Sequence, residues 1–400
     1  MEITGFRFEQ YTGRLEESPD EFYEERLARP LDLYDEFQPQ ADPMGDDAPD
    51  DHVPVTQTFL FVETDEGIEG MAGPLGRSTA RRASTFESLL VGRDPMATEY
   101  CWDLMYRQAV HGRKGEPMFA ISAIDVALWD LTGRALGEPV VTLLGGPTRR
   151  ELPAYASMLR FPVEPDDVRE RAAEYQERGF QAQKWFFRHG PGSGYDGMAA
   201  NEALVAAARE AVGPDYDLMF DAWMSWDRPY AAKMLERVEQ YDPRWVEEPV
   251  QPDKIDQYVE LREETSVPIA GGEHEYTRWG MHELLSAGAV DVLQADTYWA
   301  GGITELRHAC SLASVRDVPV IPHGHSVPAN VHVVAAQPAT VCPYVEYLVK
   351  HNRTLQLFFD EPVTPTDGTV TVPDRPGIGV DIDEDAIESR TELSFDATTT

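Results

Sequence analysis

Six short segments between residues 217 and 349 decide the fold: DLMFDAW (217–223), RWVEEP (244–249), VPIAGGE (267–273), VDVLQAD (290–296), VPVIPHG (318–324) and YVEYLV (344–349). Each is an apolar run, and charged amphipathic sequence fills the intervals between them. Two similar runs precede them, LPAYASM (152–158) and QAQKWFF (181–187). Eight apolar runs with helical intervals are typical of a parallel α/β barrel. The sequence therefore predicts a (β/α)-barrel of the TIM type.

The predicted barrel occupies only the middle of the 400-residue chain, which leaves sequence on both sides of it. Residues 1–125 contain strand-like pieces around a Pro/Asp-rich segment, and we predict an α+β capping domain there. We assign the barrel to 126–355 and a C-terminal segment that returns to the cap to 356–400. The segment ISAIDVALWDLTGRALG has helical spacing and ends at Gly137, which is typical of a helix C-terminus.

The charge balance is strongly acidic, with 71 acidic residues against 34 basic ones and a net charge of −37. Only five of the basic residues are lysines. Such a field repels nucleic acid and anionic membranes, and no apolar run reaches the roughly 20 residues of a membrane span. We therefore expect a cytoplasmic protein without nucleic-acid or membrane partners. Dispersed acidity with little lysine favours a halophilic source, because salt screens the repulsion; an acidic enzyme from a low-salt organism is the alternative.

Polar residues stand where the apolar runs end, at intervals of 23 to 27 residues. Each interval is one strand and one helix, so these side chains belong at the same end of successive strands, which in a barrel is the catalytic mouth. A single carboxylate there could be a helix cap, but six polar residues in one register favour a functional site. The six are Asp221, Glu247, Glu273, Asp296, His323 and Glu346.

Three of these carboxylates, Asp221, Glu247 and Glu273, lie on adjacent predicted strands. Confined like charges raise one another's pKa, so the group needs a cation. A site made only of oxygen ligands suits Mg²⁺, or Mn²⁺, rather than zinc. His274 follows Glu273, but the sequence has no HExxH motif. We therefore interpret His274 as a contact beside the metal or to the substrate.

Asp296 and His323 supply the parts of a general base. A carboxylate that accepts one ring N–H orients an imidazole and raises its basicity. Glu346, on the last strand, is placed to hydrogen-bond an enolate oxygen. A divalent cation and one such base suit removal of the proton next to a carboxylate. Racemisation needs a second base, whereas elimination of water can use one histidine for both proton transfers.

Seven segments together resemble the enolase superfamily, in its mandelate racemase branch. The resemblance implies a modified TIM barrel with a capping domain, Mg²⁺ bound by Asp221, Glu247 and Glu273, and a homo-oligomer, often an octamer. It also implies His323 as the acid/base, with Asp296 as its partner and Glu346 near the enolate. The segments are ISAIDVALWDLTGRALGEPVVTLLGG, DAWMSWD, WVEEPV, AGGEHEYTRWG, VLQADTYWAGG, VIPHGHS and PGIGVDIDED.

Two departures from the family pattern bear on the reaction and on the substrate. Racemases of this branch carry Lys-x-Lys after the second strand, with the second lysine as a base, but this chain has Lys184-Trp185-Phe186. We interpret Lys184 as a candidate catalytic residue that pairs with the substrate or with a metal ligand. A purely structural role for this lysine explains the sequence equally well. The cap resembles that of L-rhamnonate-specific dehydratases, yet residues 38–55 contain no arginine to grip the substrate.

Three further side chains are candidate substrate contacts. His274 and Arg188 follow barrel strands, and Trp223 could form a wall for a sugar, although core packing for the tryptophan and a surface position for the arginine are alternatives. We predict an aldonate dehydratase that yields a 2-keto-3-deoxy sugar acid, with an L-rhamnonate-like substrate. The alternatives are a racemase, epimerase or cycloisomerase on the same scaffold, and a metal-bound binding protein without turnover.

Overall fold

The computed structural model describes residues 1–38 and 51–395. Its first part is a capping unit in which an antiparallel sheet packs against helices. The segment between 38 and 55, which contains no arginine, lies largely outside the described residues. The cap strands are β1 (Ile3–Leu15), β2 (Val53–Thr64) and β3 (Glu69–Leu75), and its helices are α1 (Pro19–Phe22), α2 (Arg77–Ser84), α3 (Glu87–Leu90), α4 (Thr98–Gln108), α5 (Glu116–Leu136) and α6 (Val140–Leu143), with 3₁₀ turns at Pro30–Leu33 and Asp35–Phe37.

The second part is the predicted parallel barrel. Seven strands pair in parallel, and the last lies beside the first. The segment 318–324 takes the remaining place, because Ile321 donates its backbone N–H to Leu293 and Leu293 donates to Pro319 (2.9 Å each). The strands are β4 (Glu151–Ser157), β5 (Ala182–Phe186), β6 (Asp217–Asp221), β7 (Trp245–Glu247), β8 (Ile269–Gly271), β9 (Val292–Leu293) and β10 (Val345–Leu348).

Helices follow the barrel strands and cover their outer faces. Most of them bury one apolar stripe, as an amphipathic helix on a sheet must, whereas the helix Val327–Ala336 is buried over almost its whole length. They are α7 (Pro165–Glu177), α8 (Gly194–Val212), α9 (Arg228–Val238), α10 (Ile255–Glu264), α11 (Thr277–Ala287), α12 (Gly302–Ser314), α13 (Val327–Ala336) and α14 (Val349–Leu355), with 3₁₀ turns at Pro191–Ser193, Glu239–Tyr241 and Gly324–Ser326. Among the helices of residues 1–38 and 51–395, none is long and apolar enough to cross a membrane.

The inside of the barrel is filled by side chains rather than left open. One buried residue from every strand position except β10 meets in a single cluster below the mouth, which is the layered packing that closes a barrel of this size. The polar residues at the strand ends therefore stand on a rigid apolar floor. The cluster consists of Tyr155, Ala182, Met219, Trp245, Ala270, Val292 and Ile321.

Helix α5 joins the cap to the barrel. It ends at Gly137, which has the left-handed φ of 69° expected of a helix C-terminus. Asp130 accepts backbone N–H bonds from Met71 in β3 and Ile378 in the C-terminal segment, both at 2.8 Å. On another face, Asp125 accepts from the Thr304 backbone N–H (3.0 Å) at the start of α12. The boundary predicted at residue 125 therefore falls inside one continuous helix.

The C-terminal segment divides between the two units. Strand β12 (Ser389–Glu392) pairs with β1 in the cap sheet, as expected. Strand β11 (Thr369–Thr371), however, pairs antiparallel with β4 of the barrel. The prediction that all of 356–400 returns to the cap is therefore wrong for GTVTVP, because the exposed edge at the start of β4 offers backbone groups that pair with it.

Candidate active site

The structure brings the six strand-end residues to one end of the barrel. Asp221 and Glu247 are paired in register at the ends of β6 and β7. Glu273 and Asp296 follow β8 and β9, His323 follows the segment at 318–321, and Glu346 is in β10. All five carboxylates are at most 3% exposed. Buried carboxylates of this number require compensation by cations or hydrogen-bond donors.

Lys184 supplies part of that compensation from β5. It is 1% exposed, and its Nζ donates to Glu247 Oε1 at 2.8 Å. The same Nζ lies 3.2 Å from Asp221 Oδ2 and 2.8 Å from Glu346 Oε1. Burial alone would lower the pKa of Lys184, but the charges of Glu247 and Glu346 outweigh it and raise that pKa well above its ordinary value. Lys184 is therefore a protonated ion-pair partner of the carboxylates.

The pKa values of the three predicted metal ligands are all raised. Burial is the largest cause for each, and it raises the pKa of Asp221 to about 6, of Glu247 to about 8 and of Glu273 to about 7. Neighbouring carboxylates add to the effect, Glu273 on Asp221 and Asp221 on Glu247. One lysine does not neutralise this group, so its charge and its oxygen donors fit a divalent cation such as Mg²⁺.

A sixth buried carboxylate, Glu248, was missed at the sequence level. It directly follows β7 with a positive φ of 40°, which turns its side chain toward the mouth beside Glu247. Its Oε2 lies 2.9 Å from His274 Nδ1. Glu248, Glu273 and His274 have potential ligand atoms within 4.8 Å of one another. The second acid of the Glu-Glu-Pro motif was the available signal, but the strand-end register selected only the first.

His274 forms an ion pair with the acids beside it. Its Nδ1 also lies 3.4 Å from Glu273 Oε1. Burial would lower the pKa of His274, but its hydrogen bond to Glu248 and the charge there outweigh burial and raise the pKa to about 9. His274 is thus a cation at neutral pH, and its ring stands 6.2 Å from that of Trp223 and 5.5 Å from that of Trp299.

His323 and Asp296 form the predicted dyad. His323 Nδ1 lies 2.7 Å from Asp296 Oδ2, and Asp296 Oδ1 accepts the backbone N–H of Tyr298 at 2.6 Å. The other nitrogen, Nε2, lies 3.5 Å from Glu273 Oε2. Burial would lower the pKa of His323, but the charge of Glu273 and the hydrogen bond to Asp296 raise it to about 10. This geometry fixes Nδ1 as the donor to Asp296 and leaves Nε2 for proton exchange.

Glu346 departs from its expected role as a donor to an enolate oxygen. Its Oε2 accepts the backbone N–H of Gly324 at 2.9 Å, and its Oε1 pairs with Lys184. Burial would raise the pKa of Glu346, but the charges of Lys184 and His323 lower it. An ionised carboxylate has no proton to donate, so in this arrangement Glu346 is an acceptor that holds Lys184 and the loop of His323.

The last two candidate substrate contacts differ in position. Arg188 Nε donates to Glu25 Oε1 at 2.9 Å, so this arginine ties the end of the second barrel strand to the cap. Trp223 is half-buried with a positive φ of 41°, and its backbone N–H binds Asp221 Oδ1 at 2.8 Å. Arg188 is thus engaged in an ion pair, whereas the Trp223 ring lies beside His274 at the mouth.

Comparisons with known proteins agree with this architecture. Residues 53–145 match the mandelate racemase/muconate lactonizing enzyme N-terminal domain, and residues 167–386 match the enolase C-terminal domain-like family. The chain is 35% identical to the L-rhamnonate dehydratase of Saccharopolyspora erythraea over 382 residues, which cover 91% of each protein. It is also 35% identical to the D-galactarolactone cycloisomerase of Agrobacterium fabrum over 82% of this chain and 89% of that protein.

A solved structure gives the same picture. The rhamnonate dehydratase of Gibberella zeae, in complex with Mg, superposes with a TM-score of 0.81 at 29% identity. The match covers 96% of this chain and 95% of that one. The predicted capped barrel is therefore confirmed over both units.

Proposed function

Because the chain belongs to the mandelate racemase/muconate lactonizing enzyme family of the enolase superfamily, we propose that it is a Mg²⁺-dependent acid-sugar dehydratase. The substrate is an aldonate, L-rhamnonate or a close analogue, and the product is a 2-keto-3-deoxy sugar acid. The observation that carries this proposal is the His323–Asp296 dyad, at 2.7 Å, beside a cluster of buried carboxylates.

The metal is assigned to Asp221, Glu247 and Glu273. Their oxygen donors and uncompensated charge fit a divalent cation, and a relative of the same fold carries Mg. When bound, Mg²⁺ supplies positive charge that stabilises a carboxylate whose neighbouring C–H bond is losing its proton. Glu248 and His274 complete the acidic side of the mouth, where His274 provides a cation for an anionic ligand.

Proton transfer belongs to His323. A divalent cation on Glu273 would neutralise the charge that raises the pKa of His323. Nε2 is then free to take the proton from the carbon next to the substrate carboxylate while Asp296 holds the ring through Nδ1. The electron pair left behind then expels the hydroxyl of the next carbon, and Nε2 returns the proton to that oxygen, so water leaves. The enol that remains becomes the 2-keto acid. One histidine thus takes up the proton in the first step and returns it in the second.

The sequence at β5 favours elimination over racemisation. Phe186 stands where two-base members of the family carry their second lysine, and a phenyl ring transfers no proton. Lys184 is held by Asp221, Glu247 and Glu346, so it is not a free amine. A cycloisomerase remains the second candidate, because the relative from Agrobacterium fabrum is as similar in sequence as the dehydratase.

A screen of acid sugars tests the proposal. The purified protein, in molar KCl with Mg²⁺, is incubated with a panel of aldonates, aldarates and sugar-acid lactones, and 2-keto-3-deoxy products are detected as semicarbazones. We expect a signal with L-rhamnonate or a close analogue that disappears with EDTA. A semicarbazone signal from a lactone and none from any aldonate would instead support the cycloisomerase, because expulsion of the ring oxygen in place of water leaves the same 2-keto-3-deoxy group. Ligand binding without any turnover would support a binding protein.

A further inference from the structure

Two histidines at the mouth, His325 and His351, are not used by the dyad or by the acidic cluster. His325 lies in the turn that follows His323, and His351 lies in α14, directly after the last barrel strand. Both residues are partly exposed. The Nδ1 atom of each is buried, and among the described residues it has no hydrogen-bond partner. A buried polar atom without a partner is costly, so such atoms call for a ligand or water.

His325 is part of the wall around the proposed base. Its ring is parallel to that of His323, with an interplanar angle of 4° and centroids 6.3 Å apart. Trp299 contacts both rings, at 5.1 Å from His323 and 5.7 Å from His325. A substrate group bound by His325 would therefore lie a short distance along the substrate chain from the carbon whose proton His323 removes.

His351 is held in the same neighbourhood by its own helix. The next residue, Asn352, donates from Nδ2 to the backbone oxygen of Gly324 at 3.2 Å, which links α14 to the turn of His325. The preceding residue, Lys350, donates to Glu24 Oε2 at 2.6 Å and to the backbone oxygen of Glu21 at 3.0 Å. These contacts fix the part of α14 that carries His351 between the cap and the turn of His325.

Both imidazoles are neutral. Burial lowers the pKa of His325. Burial, and then the positive charge of Arg160, lower the pKa of His351 to about 3. A neutral imidazole offers one donor and one acceptor, which matches a hydroxyl group, whereas a carboxylate prefers a charged donor. His274 and Lys184, which pair with buried carboxylates, lie instead with the acidic cluster.

We propose that His325 and His351 form a distal-hydroxyl subsite, which binds the hydroxyl groups of the acid sugar beyond the reacting carbons. The inference rests on the proposed function, because it takes the ligand to be an acid sugar whose carboxylate lies at the acidic cluster. The subsite selects polyhydroxy monocarboxylates over short hydroxy acids. Its residues are specificity-determining rather than catalytic.

Calorimetric titration of the Mg²⁺-loaded protein tests this subsite without requiring turnover. The probes are L-rhamnonate, D-gluconate and D-galactonate, with lactate as a hydroxy acid that has no distal hydroxyls. We expect the best aldonate to bind more tightly than lactate. His325→Leu and His351→Leu should each reduce this preference about tenfold or more, since one hydrogen bond to a buried group is lost. His325→Gln, which keeps a donor and an acceptor, should recover part of it.

The matched control is His282→Leu, at an exposed histidine of α11, which should leave the preference unchanged; thermal unfolding checks that each variant is folded. An equal loss for aldonate and lactate would overturn the subsite, because the histidines would then act only on the fold. No preference for any aldonate over lactate in the wild type would also overturn it. An aldonate preference that depends on both histidines, without dehydration, would overturn the proposed function alone.

Discussion

At the scale of single residues, the proposed chemistry depends on one ring nitrogen. His323→Asn should lower kcat by at least about 10³-fold, because general acid–base transfer contributes roughly 10²–10⁴-fold and here one group serves both steps. Asparagine preserves the contact to Asp296, so binding of Mg²⁺ should persist. Steady-state kinetics and metal titration measure the two effects, with His282→Asn as the control. A variant with wild-type kcat would show that another group transfers the proton.

Substitution of Lys184 provides a second test, which concerns the charge balance of the buried carboxylates rather than the proton transfer. Lys184→Met removes the cation that contacts Asp221, Glu247 and Glu346. Breaking such a buried ion pair costs about 3–5 kcal/mol, so the variant should unfold at lower denaturant in EDTA. Mg²⁺ should then stabilise the variant more than the wild type, because more negative charge is left to neutralise. Equal stabilisation by Mg²⁺ would mean that Lys184 and the metal do not share these ligands.

The sequence predicted which residues gather at the mouth better than it predicted what each one does. Strand-end spacing identified Asp221 and His323 because the parallel register repeats in the sequence. The role expected of Glu346, a hydrogen bond to an enolate oxygen, stays a prediction, whereas its contacts with Lys184 and Gly324 are ones that no spacing reveals. Glu248 was missed because a positive φ, not the strand register, turns it inward.

At the scale of elements, His332 on α13 links three segments. Its Nδ1 accepts the backbone N–H of Val141 at 3.2 Å, and its Nε2–H donates to the backbone oxygen of Ile378 at 3.0 Å. Only the neutral ring makes both bonds. Burial lowers the pKa of His332 from 6.5 to about 4, so between these values the unfolded chain binds more protons than the folded one.

This difference predicts an acid-sensitive contribution to stability. The contribution is fully present above pH 6.5 and is lost as the pH falls toward 4, by about 1.4 kcal/mol per pH unit. Chemical denaturation at pH 7 and pH 5 should therefore show a smaller loss of unfolding free energy in His332→Gln than in the wild type. His282→Gln, which changes an exposed histidine, should behave as the wild type does. Identical losses in all three proteins would rule out the buried neutral histidine as a cause.

The elements also show where sequence patterns lose information. The helix of α5 was predicted with its exact C-terminus, because helical periodicity and a terminal glycine coincide at Gly137. The apolar run at 318–324 was predicted as a strand, but it pairs with β9 through an isolated bridge at Val320. Prolines at 319 and 322 explain this, since each removes a backbone donor from the ladder. No local sequence pattern indicates the pairing of β11 with β4.

At the scale of the whole molecule, the net charge of −37 makes stability depend on salt. Raising KCl from about 0.1 M to molar concentrations shortens the Debye length from about 10 Å to about 3 Å, which screens the repulsion among the surface acids. We expect the thermal midpoint to rise with KCl. Sucrose at matched osmolality is the control for a general solute effect. A midpoint that falls with KCl would show that surface ion pairs outweigh the repulsion.

The capped barrel itself was predictable because the apolar runs repeat eight times and six of them end in a polar residue. The division between cap and barrel was less predictable from the sequence, since α5 contributes to both units and the C-terminal segment pairs with both sheets. Long-range pairing of this kind depends on which edges are left open after the barrel closes.

We propose that the enzyme expels water from an acid sugar. Mass spectrometry of the reaction with the aldonate that gives the strongest signal in the screen, in Mg²⁺ and KCl, measures this loss. We expect a product lighter than the substrate by one water, formed by the wild type and not by His323→Asn. A product of unchanged mass, an epimer of the aldonate, would instead rule out dehydration and establish an isomerase on the same scaffold.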